Sequence, residues 1–506
     1  MVERAAGKVW LVGAGPGDPR LITVKGLEVL EQAEVVLYDR LAHPALLELC
    51  PSSDQRDVGK RFGQSSPNQS EITAQLIELA RAGKRVVRLK GGDPFLFARG
   101  SEEATELARA NVPFEVVPGI SSPVGTAAYA GISLTHRDLA SSVTIITGSD
   151  KAGREWSPGA WKKLATATDT ICVLMGMRRI EEITKALVDG GRSPDTPAAV
   201  IQWGARPEQR VVSATLGTIA AGARAVGATN PAVIVIGDVV RLREELRWYD
   251  NRPLFGKRIL VPRPLAQAKA TAGAIRERAA DPVVFPVIEL CDPPDPEPLE
   301  RAADELGSYD WVLFTSANGV ARFFAALSRL GRDARAFAAA KIGVIGPKTA
   351  KSLERYGLRA DLVAEEYIGE GLARAIRERG GARRVLIPRA LVARDTLPAM
   401  LRAEGAEVDV VPVYETRPID AERAAELVRR FEGGGIDVAM FTSSSTVSSL
   451  CSLLGERAAE LLSRVTVGSI GPVTSKTAEK LGVRVDVTAT EYTVAGLLDA
   501  LEQHFS

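Results

Sequence analysis

Cysteine and histidine are scarce in this chain. Its 506 residues include 4 cysteines and 3 histidines. Cys50, Cys172, Cys291 and Cys451 lie far apart, with no C-x-x-C pair and no histidine at ligand spacing. No metal site or disulfide framework is therefore expected, and the composition suits a reducing cytoplasm. An excess of charge of one sign is also missing: 64 Lys and Arg face 63 Asp and Glu, a formal net charge of +1. No global field draws such a protein to nucleic acid or to a membrane surface, and a polyanionic small substrate would need a local cationic site. No apolar run approaches the roughly 18 residues that cross a bilayer. The chain enters VWLVGAGPG almost at once, without the basic region, apolar core and cleavage site of a secretory signal, so a cytoplasmic protein is expected.

What is present is ordinary globular material, 45% hydrophobic and 25% charged, long enough for about three or four folding units. Short β-branched runs (VWLVG, EVVLYD, RVVRLK, FEVVPG, VTIITG, TICVLMG, AVIVIG) alternate with amphipathic stretches such as 70–82 and 101–110. That alternation predicts α/β layers with mostly parallel sheets. Tyr249-Asp250-Asn251-Arg252-Pro253 is polar and carries a proline, and reads as a linker. Beyond it the sequence repeats itself. RILVPRP begins at Arg258 and RVLIPRA at Arg384. VVFPVIE and VDVVPVYE share Pro286 and Pro412. WVLFTSANGV and VAMFTSSSTV align Phe314 with Phe441, and two longer IGP-type blocks align Gly346 with Gly471. The offset is nearly constant. Two copies of one α/β unit are expected, with a ligand cleft between similar lobes, because polar TS and PR pairs recur at strand ends, where α/β folds bind ligands.

In the N-terminal half, Gly13-Ala14-Gly15-Pro16-Gly17-Asp18 follows the first strand. A dinucleotide fingerprint would put its third glycine at position 18, which is Asp18. A carboxylate there repels a pyrophosphate, and Pro16 removes a backbone donor, so the loop suits a ligand without phosphate. Asp39 ends the run VVLY and is either a ligand-facing carboxylate or the N-cap of a helix over 41–49. Gly91-Gly92-Asp93-Pro94 follows VVRLK. Its glycines permit close backbone approach and Asp93 can accept from a ribose or ammonium group, although a plain turn has the same composition. No Ser-His-Asp or Cys-His arrangement is present.

The blocks VWLVGAGPGDPRLIT (9–23), VVLYDRL (35–41), VGKRFG (58–63), RLKGGDPFLFARG (88–100), PGISS (118–122) and GISLTHRD (131–138) come in one order. Together they resemble uroporphyrinogen-III C-methyltransferase over residues 7–250. The resemblance implies a tetrapyrrole-methylase-like pair of α/β subdomains (about 7–120 and 121–250), S-adenosylmethionine (SAM) as methyl donor, and a homodimer through this half. It places the proton acceptor at Asp39 and the proton donor at Lys60. It places SAM contacts at Pro16, Gly91, Gly92, Asp93, Leu96, Ser121, Ser122, Met175, Gly204 and Ala232. The implied substrate, uroporphyrinogen III, carries many carboxylates. Lys60, Arg61, Arg88, Arg99, His136 and Arg137 are available to meet them, each charge-assisted bond adding roughly 1.5–3 kcal/mol. Pyrrole carbons are electron-rich enough to attack an activated methyl, so the enzyme has only to align the reactants and remove a proton. Three segments depart from the family pattern: no histidine follows VGKRFG closely, PGISSP replaces a PGITA-like segment, and VLMG replaces a YMG-like one.

After a linker at 251–256, residues 257–506 resemble uroporphyrinogen-III synthase through RILVPRPLAQA, FPVIEL, DWVLFTSANGV, IGPKTAKSLERYG and VPVYET. The resemblance implies two α/β lobes on a two-stranded hinge: lobe one about 257–286 plus 417–506, lobe two about 291–411, with 286–290 and 412–416 crossing between them. It implies cyclisation of hydroxymethylbilane with inversion of the last ring. Thr315, Ser316, Asn318, Thr349, Thr442, Ser443 and Thr474 stand at strand-to-helix turns, either as substrate-binding groups or as helix caps. Arg263 and Arg389 occupy equivalent repeat positions and suit substrate carboxylates. Tyr414 matches the family tyrosine assigned to hydroxyl departure, or packs the hinge. On this reading the halves act consecutively, forming uroporphyrinogen III and methylating it twice to precorrin-2 for sirohaem or cobalamin. The rival is a methyltransferase for another corrin precursor, its C-terminal half a non-catalytic two-lobed ligand-binding module.

Overall fold

Strands whose residues are apolar on both sides need cover on both faces. In the strand Lys8–Gly13, Val9 and Leu11 enter one buried cluster and Val12 another; in Arg85–Lys90, Val86 joins the first cluster and Val87 and Leu89 the second. The computed structural model describes residues 7–59, 68–148, 158–263, 265–366 and 368–506. They form two units. One runs to Arg258 and adds Ala274–Asp281 and Leu501–Ser506; the other comprises Ile259–Gly273 and Pro282–Ala500.

The first unit holds two five-stranded sheets. One has the order Asp54–Asp57, Val35–Tyr38, Arg85–Lys90, Lys8–Gly13, Phe114–Val117, and every neighbouring pair is parallel. The other has the order Val143–Thr147, Thr170–Leu174, Ala232–Ile236, Pro197–Gln202, Arg210–Thr215. Here only the first pair is parallel. The expectation of mostly parallel sheets therefore fails for this layer. The chain returns from Gln202 to Arg210 through a short loop, which reaches only an antiparallel neighbour.

Helices are found at Gln69–Arg81 and Gly100–Arg109, where amphipathic stretches were expected. The first opens on a capping box: Asn68 Oδ1 accepts from the Glu71 amide (3.0 Å), and Glu71 Oε2 accepts from the Asn68 amide (2.9 Å). Residues 251–256 form turns that are packed, with Leu254 fully buried and Phe255 edge-on to Tyr249 at 5.5 Å.

In the second unit, one sheet has the order Asp281–Val284, Arg258–Val261, Val438–Phe441, Thr466–Ser469, Val487–Thr488. The other runs Ile288–Cys291, Glu407–Pro418, Arg384–Ala390, Trp311–Phe314, Lys341–Val344, Leu362–Val363. Aligned by the repeat, Arg258–Val261 corresponds to Arg384–Ala390 and Trp311–Phe314 to Val438–Phe441. Each sheet therefore combines the early strands of one copy with the late strands of the other, in the same order. The sequence repeat is not the structural unit, because the chain changes sheet in the middle of each copy. Ile288–Cys291 pairs antiparallel with the end of Glu407–Pro418, Ile288 opposite Pro418 and Cys291 opposite Glu415.

Residues 257–380 hold one whole sequence copy but strands of two different sheets. Expressed alone, this fragment is expected to show no cooperative urea transition, whereas the intact chain shows one; far-UV circular dichroism against urea is the measurement.

Candidate functional site

Parallel neighbours end side by side, so the loops after Lys8–Gly13 and Arg85–Lys90 meet. The Gly15 amide donates to the Gly92 carbonyl (3.2 Å), and the Gly92 amide donates to the Gly15 carbonyl (2.8 Å). Both residues have positive φ, 79° and 69°, which glycine adopts without strain. A cavity of about 380 Å³ opens beside this contact. From the expected set it is lined by Pro16, Gly91, Gly92, Ser122, Met175, Gly204 and Ala232. Two loops of the other sheet complete the wall, and they are strained: Met175, Trp203 and Ala205 have φ of 54°, 50° and 60°, a region non-glycine residues rarely occupy.

The remaining expected contacts sit elsewhere. Asp93 Oδ1 accepts from the Phe95 amide (2.8 Å) and the Leu96 amide (3.2 Å), and Oδ2 accepts from the Gly119 amide (3.1 Å), so its carboxylate holds a turn. Leu96 is exposed, and Ser121 precedes the helix Ser122–Tyr129 without a side-chain cap bond. Asp18 is buried as well. Its Oδ1 accepts from the Arg20 amide (2.9 Å) and its Oδ2 from the Tyr129 hydroxyl (2.9 Å). Burial pushes its carboxyl up, but the bonds and charge of Arg20 outweigh this and hold it below the ordinary value.

Asp39 is not a helix cap. The turn Pro44–Leu49 is capped by His43, whose Nδ1 accepts from the Ala45 amide (3.1 Å). Asp39 Oδ1 instead accepts from Arg88 Nη2 at 2.5 Å, with the carboxylate side chain 29% exposed. Behind it, Arg88 Nε and Lys90 Nζ donate to Glu103 Oε1 at 3.2 and 3.0 Å, and Gln69 Nε2 donates to the same oxygen at 2.7 Å. Arg88, Lys90 and Glu103 are all buried, and burial pushes the Lys90 ammonium down. Arg88, expected among the cations facing a substrate, is internal and supports Asp39. Arg99 is exposed and paired with Glu102, and Arg137 lies exposed in the turn closed by His136 and Ala140. Lys60 and Arg61 fall outside the described residues.

In the second unit, Ser316 Oγ accepts from the Gly319 amide (3.0 Å) and Ser443 Oγ from the Thr446 amide (3.3 Å), so both cap helices. Thr349 and Thr474 are buried in the first turns of Pro347–Glu354 and Pro472–Lys480, and Thr315 and Asn318 are half-buried. The buried Thr442 Oγ1 has no hydrogen-bond partner among the described residues. The repeat-related arginines differ. Arg389 is buried, donating to the Arg394 carbonyl (2.7 Å) and to Asp395 (2.5 Å), while Arg263 is half-buried and burial pushes its guanidinium down. Tyr414 is 8% exposed and packs with the core around Phe314 and Phe323.

Family comparison separates the same two parts. The model for Tetrapyrrole (Corrin/Porphyrin) Methylases matches residues 8–220, and that for Uroporphyrinogen-III synthase HemD matches 269–499. A porphyrin biosynthesis protein HemD from Ruminiclostridium josui is 39% identical over 497 residues, 98% of this chain and 97% of that one. This chain belongs to the fused methylase–synthase family. It is a bifunctional enzyme of tetrapyrrole biosynthesis. A uroporphyrinogen-III C-methyltransferase from Bacillus subtilis is 39% identical over 352 residues, 69% of this chain and 72% of that one. A siroheme synthase from Stutzerimonas stutzeri is 48% identical over 258 residues, 51% of this chain and 55% of its own length, so the chain spans about half of that relative.

The methylase cavity also has walls that the motifs do not mark: Thr126, Trp203 and Arg206. Gly204 sits so close to Thr126 that a Cβ would come within 2.4 Å of the threonine Cβ. Only the neighbouring glycine, in QWGARPEQR, offered a signal in the sequence.

Burial, and then the Arg206 cation, push His43 from 6.5 to about 4. Between these values the unfolded chain binds a proton that the folded chain refuses. Stability from this group is therefore complete above pH 6.5 and is lost as pH falls toward 4, by up to about 1.4 kcal/mol per pH unit. His43→Asn keeps a capping side chain without the titration, and urea midpoints across that window should fall more steeply for wild type than for the variant.

Proposed function

We propose that the synthase half cyclises hydroxymethylbilane to uroporphyrinogen III and that the methylase half methylates this product twice, using SAM, to precorrin-2. Precorrin-2 leads on to sirohaem or cobalamin. The observation that carries the reading is the cavity itself: Pro16, Gly91, Gly92, Met175, Gly204 and Ala232 are far apart in sequence and line one space. The donor set fits SAM, a ligand with a sulfonium and no phosphate. The walls combine apolar side chains, such as Leu174, Ile201 and Trp203, with glycine backbone, and the volume lies in the range of small-molecule sites.

When bound, SAM supplies an electrophilic methyl group. The protein's work is then to align the pyrrole carbon and to take its proton. Asp39 is the acceptor in this reading: Arg88 occupies one of its oxygens and orients the carboxylate, and its partial exposure leaves room for a substrate. Lys60 is assigned as donor, and Arg61 and Arg137 meet tetrapyrrole carboxylates. In the synthase half, Thr315, Ser316, Asn318, Thr349, Thr442, Ser443, Thr474, Arg263 and Arg389 are assigned to the bilane, and Tyr414 to hydroxyl departure. The boundaries are 7–250 for the methylase, 251–256 for the linker and 257–506 for the synthase. The protein works in the cytoplasm as a homodimer through its methylase half. The exposed apolar side chains Val124, Val143, Leu246 and Trp248 around one open depression support that pairing. No helix among the described residues is long and apolar enough to cross a membrane.

The whole protein, given hydroxymethylbilane anaerobically, is expected to yield type III uroporphyrinogen without SAM and its dimethylated product with SAM, followed by mass and absorbance. Type I product alone would remove the synthase assignment, and unmethylated type III with SAM present would remove the methylase one. Asp39→Asn is expected to slow methylation by roughly 10²–10⁴-fold while leaving cyclisation intact.

A further inference from the structure

Four cationic side chains are buried among the described residues: Arg88, Lys90, Arg206 and Arg389. Three have carboxylate partners. Arg88 pairs with Asp39 and Glu103, Lys90 with Glu103, and Arg389 with Asp395. Arg206 has none among the described residues. Its Nη2 donates to the Leu41 carbonyl (2.7 Å), and its guanidinium lies over the Trp203 ring, Cζ 5.1 Å from the centroid. It is 9% exposed and is one of the residues that line the methylase cavity. A carbonyl and an aromatic face only partly replace water around a cation, so an uncompensated buried guanidinium is costly. Burial accordingly pushes its pKa down, with Glu208 opposing only from a distance. The loop that delivers it is strained on both sides of Gly204, at Trp203 and Ala205. Strain of this kind persists where a local geometry is used.

We propose that Arg206 is an anion receptor in the wall of the methylase cavity and takes a carboxylate of the bound ligand. That carboxylate belongs either to the methionine moiety of SAM or to a propionate or acetate arm of the tetrapyrrole. A guanidinium suits it because its planar fork matches a carboxylate with two parallel N–H···O bonds. The inference rests on reading this cavity as the cosubstrate site. It adds a recognition element that no glycine motif carries, since backbone amides alone do not neutralise a ligand's negative charge.

The test is calorimetric binding of S-adenosylhomocysteine and of 5′-methylthioadenosine to the whole protein, with wild type, Arg206→Met and Arg206→Lys. Methylthioadenosine keeps the nucleoside and sulfur but lacks the carboxylate. Loss of about tenfold to a hundredfold in S-adenosylhomocysteine affinity, with methylthioadenosine unchanged, supports the proposal and assigns the carboxylate to the cosubstrate. Unchanged affinity for both, with the KM for uroporphyrinogen III raised tenfold or more, supports it and assigns the carboxylate to the tetrapyrrole. Equal weakening of both nucleosides, or no change in any of these quantities, overturns it. If Arg206→Met fails to fold, Arg206→Lys carries the same comparison with a smaller loss, because lysine keeps the charge without the fork. Wild type that binds neither nucleoside overturns the cavity reading and this proposal together, whereas wild-type binding with an indifferent Arg206 overturns this proposal alone.

Discussion

The methylase site depends on one close approach of two backbones. Gly15 and Gly92 exchange hydrogen bonds across the ends of adjacent parallel strands, and the cavity lies against that contact. Two parallel strands bring their following loops together but do not make them touch. Both residues turn with positive φ, which favours glycine, and a Cβ on Gly15 would come 3.2 Å from the Leu21 carbonyl oxygen and one on Gly92 3.1 Å from Ser122 Oγ. Gly13 belongs to the same constraint, since a Cβ there would come within 2.7 Å of the Gly92 carbonyl oxygen. The two motifs that look independent in the sequence, GAGPGD and KGGDP, are thus one structural element.

Around Asp39, buried charge is handled by neutralisation. Arg88 and Lys90 extend from a buried strand and share Glu103, which stands in the first turn of Gly100–Arg109. Asp39 completes the set at the edge where the burial ends. A carboxylate held this way loses rotational freedom and keeps one oxygen clear of Arg88, an arrangement suited to a proton acceptor. The cost of burying the cations is offset locally, so the cluster presents little net charge to its surroundings. Asp18 obeys the same logic, stapling its loop to Tyr129 through a hydroxyl and to Arg20 through an ion pair.

The synthase unit shows how a duplication can be misread. Both copies follow the same order, with Asp281–Val284 and Ile288–Cys291 of the first answering to the single strand Glu407–Pro418 of the second, but the chain leaves one sheet after the early strands of a copy and enters the other. Each sheet is completed by the other copy, and the antiparallel pairing of Ile288–Cys291 with Glu407–Pro418 joins the two crossing segments. Equivalence of sequence does not guarantee equivalence of environment. Arg389 has acquired Asp395 as a partner, while at the related Arg263 burial depresses the guanidinium.

The β-branched strands and the helices near 70–82 and 101–110 were legible because they depend on local pattern: apolar β-branched runs, amphipathic stretches, and glycines at tight turns. The family, the order of the two halves and the repeat were legible for the same reason, since blocks such as RLKGGDPFLFARG and TSANGV are contiguous. Tertiary structure decided what contact and burial decide. It removed Arg88 from the surface, gave Asp93 to a turn and Asp39 to an arginine, made the second methylase sheet mostly antiparallel, and set Arg206 in a cavity wall without a counter-ion. None of these follows from residue type or spacing, because a charged side chain reads the same in sequence whether water, an acid or a ligand neutralises it. Only the packing around it supplies the difference.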